Sequence, residues 1–416
     1  MISYEQALMT ILNNTRRLIP EKIFIEGSVG YLLAEDIYSK IDMPPFNKSA
    51  MDGYAVIAQD TQGAPVKLKC IGLIQAGENF KRKILHGECV KIMTGAPLPE
   101  GADSVMMIED TTNSDKFVNI KVSVSKWQNV CFKGEDIQEG NKIFEKNRVI
   151  SSSSIALLAT VGKRSVRVIK KPMVTILNTG GEIVPVGRKL SRGQIYNSNG
   201  PQLAALLKAD GINPCYLGIA QDKPKELMQA VKKGLKSDIF LISGGVSMGD
   251  YDLVPSILKR IGVKEIFHKV NIKPGKPLFF GKKRKTLIFG IPGNPVSNFL
   301  TYQLFIRPAI YKMSGYRSCW PRFEKGILKS SFRQKTGRTH FVLAAAKKKD
   351  SNWCVNPVSC HGSADVLALS KANGFMMVDK NINYLRAKSK VRILLWKKGL
   401  IVRLRPSINS GLPLSE

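Results

Sequence analysis

The chain has 416 residues, of which 44% are hydrophobic, and its 64 Lys and Arg against 32 Asp and Glu give a formal net charge of +32. This length exceeds one ordinary hydrophobic core and predicts about three domains. The seven cysteines form no C-x-x-C pair, which argues against a disulfide framework or a zinc knuckle and fits a cytoplasmic protein. No apolar run reaches the roughly 20 residues of a membrane span, and the N-terminus does not resemble a signal peptide. We therefore expect neither secretion nor membrane insertion.

The large basic excess needs an interpretation, because one small anionic substrate does not account for it. The Lys and Arg residues occur in short runs at 81–83, 282–285, 347–349 and 397–398. A nucleic-acid surface is one interpretation. The runs are scattered, however, and lack the interleaved aromatic residues on which single strands stack. Solvated loops are the favoured interpretation, nucleic acid is not expected as a partner, and the reason for the excess stays open.

The first 170 residues predict two kinds of structure. Ser3 and Gln6 form a capping box that begins an amphipathic helix, which a short tail extends to about residue 25. Segments 26–40 and 141–170 have mixed character, and the serines at 151–154 cap a helix at 155–161. Between them, 41–140 consists of short β-like runs broken by glycine and proline, which predicts a β-rich insertion.

The second half begins with alternating strands and helices. Strands are predicted at 173–177, 238–242 and 286–291, and helices at 201–209, 224–235, 254–261 and 296–312, the last of them capped by Asn294. This alternation is typical of a parallel sheet with right-handed crossovers. The last hundred residues contain short β runs, which predict a small barrel or sandwich.

A glycine-containing loop with polar groups follows each predicted strand of the α/β segment, at 178–182, 243–252 and 292–295. Gly244 and Gly245 are expected to form a backbone nest for an oxyanion. Parallel sheets bind ligands at the carboxyl ends of their strands, so three such loops predict a ligand crevice. Lys273 and Lys276 lie on a proline-braced loop just before the third strand, which indicates a negatively charged small molecule.

Residues 245–249 also match G-x-S-x-G, the motif that presents Ser247 as a nucleophile in α/β hydrolases. In such enzymes the serine follows the strand at once and leads directly into a helix. Here Ser243 and Gly244 intervene, and the segment 250–252 delays the helix. A serine hydrolase is therefore an alternative that the spacing does not favour.

The β-rich insertion has three polar turns, at 44–55, 91–99 and 133–137. They contain Asp52, Thr94 and Asp136 respectively. Each turn by itself is more typical of an Asx-type structural turn than of a site.

The three turns gain significance from their wording, because they belong to a set of six motifs that occur in a fixed order along the chain. The motifs are N-K-S-A-M-D-G-Y-A (47–55), M-T-G-A-P (93–97), G-E-D-I (134–137), S-G-G-V-S-M-G-D (243–250), K-P-G-K-P (273–277) and I-P-G-N-P (291–295). Together they resemble the molybdopterin molybdenumtransferase family, which includes MoeA and the E domain of gephyrin. The resemblance spans most of the chain.

The resemblance implies an elongated subunit of four domains, with an α/β plus β fold. Domain I is mixed (26–40 and 141–170), domain II is the β-rich insertion (41–140), domain III is a doubly wound parallel-sheet molybdopterin-binding domain (1–25 and 171–320), and domain IV is a C-terminal β-barrel (321–416). It also implies a homodimer in which the insertion of one subunit faces domain III of the other.

The implied reaction is insertion of molybdate into adenylylated molybdopterin, with release of AMP and with Mg²⁺ as cofactor. The resemblance implies catalytic roles for Asp52, Thr94, Asp136, Glu182, Asp222, Asp252, Lys273 and Lys276, with Asp52, Asp136 and Glu182 as metal ligands. The implied cofactor-binding residues are Ser243, Gly244, Gly245, Ser247, Gly249, Asp250, Pro292, Gly293, Asn294, Pro295 and Ser363. The two lysines would neutralise the anionic substrates.

One position departs from the family, which usually has Asp or Asn where this chain has Gly181. That change puts a supporting hydrogen bond or metal contact in doubt, while Glu182 keeps its place. Two alternatives remain. A gephyrin-like scaffold is one, and the retained acidic residues argue against it. The adenylyltransferase of the preceding step is the other, and the match over the whole chain argues against it. Transient contacts with that adenylyltransferase and with recipient apo-molybdoenzymes are expected. The sequence identifies neither the recipient enzymes nor the metal.

Overall fold

A computed structural model describes residues 1–245 and 253–396 of the protein. The chain forms two compact units, one of Met1–Pro20 with the chain from Ile169 onward, the other of Glu21–Val168. The division into four domains remains a prediction. None of the helices in the described ranges has the length and apolar character that a membrane span requires.

The N-terminal helix α1 (Tyr4–Asn14) begins where the sequence predicts. The Ser3 hydroxyl accepts a hydrogen bond from the Gln6 amide at 3.1 Å, and the Gln6 side chain accepts one from the Ser3 amide at 2.9 Å. Each bond satisfies a backbone donor that the first turn leaves unpaired. The helix buries Ala7, Leu8 and Ile11, which share one face.

The unit Glu21–Val168 is β-rich, as predicted for most of this stretch. Its sheet of six strands has the order β7-β4-β6-β5-β9-β8. Ser151 and Ser154 form a capping box at its helix α2. Its elements, with β1 and β12 reaching just past its ends, are β1 (Pro20–Phe24), β2 (Ile37–Tyr38), β3 (Lys48–Ser49), β4 (Gly53–Val56), β5 (Val66–Ile74), β6 (Glu88–Ile92), β7 (Ser104–Met107), β8 (Thr111–Ser114), β9 (Phe117–Ile120), β10 (Val130–Cys131), β11 (Lys142–Phe144), α2 (Ser152–Thr160) and β12 (Ser165–Ile169).

The α/β part of the other unit alternates strands and helices. Its elements are β13 (Val174–Thr179), β14 (Ile183–Val184), β15 (Ile195–Tyr196), α3 (Asn199–Ala209), β16 (Cys215–Ala220), α4 (Pro224–Gly234), β17 (Ile239–Ser243), α5 (Leu253–Arg260), β18 (Lys264–His268), β19 (Ile272–Lys273), β20 (Phe279–Lys283), β21 (Thr286–Ile291), α6 (Pro295–Thr301), a π-helical turn (Tyr302–Ile306) and α7 (Arg307–Met313).

The central sheet has the order β16-β13-β17-β21-β20-β18. Strands β16, β13, β17 and β21 are parallel, as predicted. Strands β20 and β18 run antiparallel, which the prediction of a parallel sheet missed. The reason is local, since Arg284 with φ +52 makes a tight hairpin between β20 and β21 that leaves no room for a crossover helix.

Helices cover both faces of this sheet, which makes it doubly wound. Leu8 of α1, Leu203 of α3 and Leu300 of α6 pack against one face. Leu227 of α4 and Leu258 of α5 pack against the other. The β17 residues are all buried, as expected of a strand covered on both sides.

The helix predicted at 296–312 is interrupted. It consists of α6, the π-helical turn and α7, because Pro308 has no N–H to donate within the helix. Asn294 is the N-cap by position, but its side chain makes no capping hydrogen bond. The predicted capping role is therefore wrong, because this side chain donates to Ser363 instead.

The C-terminal part is a small barrel, as predicted. Strands β24, β25, β22, β28 and β26 pair in turn, and β26 returns to β24, so that the five strands close. Its elements are β22 (Phe323–Leu328), β23 (Phe332–Arg333), β24 (Thr339–Lys349), β25 (Asn352–Pro357), α8 (Val366–Lys371), β26 (Gly374–Val378), β27 (Tyr384–Leu385) and β28 (Lys390–Leu395). Strand β19 adds to the barrel by parallel pairing with β24.

Candidate functional site

A cavity of about 1280 Å³ lies at the carboxyl ends of β13, β17 and β21. The loops after all three strands line it, contributing Thr179, Gly180, Glu182, Gly244, Gly245 and the turn from Pro292 to Pro295. These strands are neighbours in the sheet, so their loops meet at one edge. The structure thus places the predicted crevice where the sequence indicates it.

The loop after β17 requires glycine. Gly244 and Gly245 have φ values of +92 and +60, and a Cβ at Gly244 would lie 2.2 Å from the carbonyl oxygen of Thr179. The Gly244 amide donates to the carbonyl of Ile291 at 3.2 Å. This extends the ladder between β17 and β21 by one residue, so this N–H is not available to the anion for which it was predicted.

A buried hydrogen-bond network joins the end of β17 to the start of α3, to α6 and to the turn that precedes α6. The Ser243 hydroxyl accepts from the side-chain amides of Asn199 at 3.0 Å and Asn298 at 2.8 Å. The Asn199 amide also donates to the carbonyl of Gly293 at 2.6 Å. Ser243 was predicted as a ligand-binding residue, but with 1% exposure it supports the site from behind.

Two buried polar atoms at the cavity lack a partner within the described residues: Thr179 Oγ1 and Asn199 Oδ1. The amide of Asn199 cannot turn around, because the Gly293 carbonyl that it contacts can only accept. Leaving such an atom unpaired costs about 1–3 kcal/mol, so a ligand or water is expected to complete it.

The acidic residues that line the cavity are Glu182 and Asp222. The Asp222 carboxylate accepts a hydrogen bond from the Gly181 amide at 3.0 Å. The Glu182 carboxylate folds back over Gly180, where it lies 2.7 Å from the position of a Cβ. Gly181 thus retains its backbone contact to Asp222 although it lacks the family's usual side chain.

The basic residues that line the cavity are the predicted Lys273 and Lys276 together with Arg338 and His340, which the sequence did not predict. Lys273 pairs with His340 in the register of β19 and β24. Burial, followed by the charges of Lys273 and Arg338, lowers the pKa of His340 to about 4. No local motif marks these two residues, because only the long-range strand pairing brings them to Lys273.

The predicted cofactor-binding residues Pro292, Asn294, Pro295 and Ser363 all line the cavity. The Asn294 amide donates to the Ser363 hydroxyl at 2.7 Å, and the Ser363 carbonyl accepts from the Val296 amide at 3.0 Å. These two bonds connect the segment around Ser363 to the start of α6.

In the other unit, Asp52 and Thr94 form a pair. The Asp52 carboxylate accepts from the Thr94 amide at 2.7 Å and from the Thr94 hydroxyl at 2.9 Å. These bonds, the backbone bond first, hold the pKa of Asp52 below its ordinary value. Asp136 is exposed in its turn, and its amide donates to the Met43 carbonyl at 2.9 Å.

Four predicted site residues, Ser247, Gly249, Asp250 and Asp252, lie outside the described residues. Over 1–245 and 253–396, no group of three or more His, Cys, Asp or Glu side chains is arranged to hold a metal ion. The predicted ligand set of Asp52, Asp136 and Glu182 therefore stays a prediction.

Comparison with protein families defines the class of this protein. Residues 2–162 match the family described as "MoeA N-terminal region (domain I and II)". Residues 182–312 match "Probable molybdopterin binding domain", and residues 325–396 match "MoeA C-terminal region (domain IV)".

Individual relatives agree along the whole chain. It is 34% identical over 399 residues to molybdopterin molybdenumtransferases of Staphylococcus epidermidis and Staphylococcus aureus, covering 95% of this chain and 95% of each relative. A crystal structure of the molybdopterin biosynthesis MoeA protein from Pyrococcus horikoshii superimposes with a TM-score of 0.78 at 32% identity, over 96% of this chain and 100% of that one. The chain belongs to the molybdopterin molybdenumtransferase family.

Proposed function

We propose that the protein inserts molybdate into adenylylated molybdopterin, releasing AMP and Mo-molybdopterin. The observation that supports this proposal most directly is the cavity, which is lined both by the two carboxylates and by Lys273, Lys276 and Arg338. Its volume of about 1280 Å³ exceeds the usual range for one small ligand, about 300–1,000 Å³, and suits a substrate in two parts together with an anion.

The residues of the cavity have separate tasks in this proposal. The three cations offset the charges of molybdate and of the substrate phosphates, which otherwise repel each other. Thr179 and Asn199 offer a hydroxyl and an acceptor to the pterin, whose ring carries both N–H and carbonyl groups. The network around Ser243 keeps these groups in place.

Magnesium remains part of the proposal. Mg²⁺ usually binds through one or two carboxylates plus substrate phosphates, and when bound it would polarise the phosphoanhydride. Glu182 and Asp222, which flank Gly181 at the cavity, provide two carboxylates of this kind. They would orient the phosphates towards the cations.

We also propose a homodimer in which Asp52, Thr94 and Asp136 of one subunit complete the cavity of the other. The family resemblance supports this arrangement, as does the exposure of Asp52 and Thr94, whose hydrogen-bonded pair faces solvent in the single chain. Contacts with an adenylyltransferase and with recipient enzymes are proposed on the same resemblance.

The test is molybdate-dependent AMP release from adenylylated molybdopterin. Asp52→Asn and Glu182→Gln should each lower the rate by about 100-fold or more, because each removes a charge at the reacting phosphate. Asp115→Asn and Glu265→Gln are matched controls at exposed positions and should retain the wild-type rate. Wild-type rates in both site variants would contradict the proposal.

Binding and complementation test the remaining parts. Lys273→Ala or Lys276→Ala should weaken molybdate binding by about 1.5–3 kcal/mol, the value of a charge-assisted contact. Mixing inactive Asp52→Ala and Lys276→Ala chains should restore roughly a quarter of the activity if sites are shared. Background activity despite demonstrated subunit exchange would place the whole site in one chain.

A further inference from the structure

The protonation of His340 can be read from its hydrogen bonds. Gln334 Nε2 donates to the carbonyls of Asp379 at 3.1 Å and Ile382 at 2.7 Å, and carbonyls can only accept. Gln334 Oε1 therefore faces the ring, 2.8 Å from His340 Nδ1. Because this oxygen also only accepts, Nδ1 must carry a hydrogen. In the neutral ring, Nε2 is then a bare acceptor.

Two basic residues lie close enough to act on this ring. Lys273 is its register partner on β19. Arg338 precedes His340 by two residues, just before the start of β24, and lines the same cavity. The register partner on β26 is the apolar Val378. Asp379, which follows Val378, uses its carboxylate to accept from the Asn381 amide at 3.0 Å.

Burial first, and then the neighbouring charges of Lys273 and Arg338, keep the ring neutral. A lysine and an arginine beside a partly buried imidazole disfavour its charged form. A dianion bound beside them would offset both charges and, by its own attraction for a proton on the ring, favour the charged form. The same groups that attract the anion thus control the protonation of the histidine.

We propose that His340 is a further binding residue of the anion site, which takes up one proton from solvent at Nε2 when molybdate binds and donates that hydrogen to an anion oxygen. No covalent bond changes in this step. The inference rests on the proposed function, since it takes molybdate to be the anion that enters beside Lys273. It adds a proton-coupled contact to those that Lys273 and Lys276 make.

Linkage makes the proposal quantitative. If binding takes up one proton, the affinity for molybdate should fall about tenfold for each pH unit between the pKa of the free and that of the occupied site. The His340→Gln variant keeps a neutral polar side chain but has no titrating group. Its affinity should be nearly independent of pH over the same range.

The test uses the full-length protein and isothermal titration with molybdate at about pH 6.5, in two buffers of different ionisation enthalpy. Wild type should take up between about half and one proton per anion bound, and His340→Gln close to none. His86→Gln is the matched control, because His86 is exposed in the other unit and pairs with Asp60. Sulfate, a dianion that does not itself protonate near neutral pH, should cause the same uptake.

Nitrogen-15 spectra of the ring provide a second readout. Before anion is added, His340 should show a hydrogen on Nδ1 and a bare Nε2, and with saturating molybdate both nitrogens should carry hydrogens. No proton uptake in wild type, or equal uptake in His340→Gln, overturns the inference. Either result is compatible with molybdate-dependent AMP release by the wild type, so it counts against this inference alone. If the wild type takes up the proton but releases no AMP, the result counts against the proposed function alone.

Discussion

The Ser243 side chain connects the end of β17 to α3 and to α6 through one hydroxyl oxygen. Its hydroxyl accepts from Asn199 and Asn298 and is almost completely buried. In Ser243→Ala both bonds are lost. The Asn199 amide keeps its bond to the Gly293 carbonyl, but the Asn298 amide, whose residue is 0% exposed, loses its partner.

The expected cost follows from these contacts. Each of the two neutral hydrogen bonds contributes about 0.5–1.5 kcal/mol to stability. Leaving the buried Asn298 donor without a partner costs about 1–3 kcal/mol, and this cost overlaps in part with the loss of its own hydrogen bond. We expect Ser243→Ala to destabilise this end of the sheet by about 2–4 kcal/mol. The double variant with Asn298→Leu should recover part of that loss, since it removes the stranded donor as well.

Amide hydrogen exchange is the appropriate assay, because two compact units need not unfold in one step. Protection at the end of β17 and the start of α6 should fall by roughly 30-fold or more in Ser243→Ala. Ser237→Ala, which alters a buried serine just before the opposite end of β17, is the control and should leave α6 unchanged. Equal protection of α6 in wild type and Ser243→Ala would refute the reasoning.

Three further predictions concern stability. Asp210→Asn should lower the stability measured in a thermal melt by about 3–5 kcal/mol. The reason is that Arg307, whose Nε lies 2.7 Å from Asp210 Oδ2 and whose side chain is only 17% exposed, is left as a buried unpaired charge. If adding Arg307→Met restores no stability, the ion pair is not the cause. Gly244→Ala should lower the melting temperature more than Gly218→Ala, since both have positive φ but only Gly244 also meets a carbonyl among the described atoms; equal shifts would remove the steric argument. The pKa of His340 is about 4 in the folded protein, against an ordinary value of 6.5, so the unfolded chain takes up this proton first as the pH falls. The wild type should therefore lose up to about 3 kcal/mol of stability between pH 6.5 and pH 4, and His340→Gln should not. Urea titrations at each pH measure this difference.

Much of the architecture could be predicted because its signals are local. The capping boxes at Ser3 and Ser151 begin helices through bonds that span three residues. Strands β13, β17 and β21 are buried apolar runs that end in glycine-containing loops, and those loops meet in one cavity as expected. The six ordered motifs then predicted the family, which the comparisons confirm.

What the sequence could not determine depends on contacts between distant segments. The pairing of β19 with β24 brings Arg338 and His340 to Lys273, and no pattern within either strand specifies that partner. Asn199 and Asn298 have no motif of their own and become part of the site only through Ser243. Local sequence determines turns, caps and strand ends because these need only neighbouring residues. Strand register and buried polar networks are decided by tertiary packing. They stabilise the protein only after segments that are distant in the sequence have come together and excluded water.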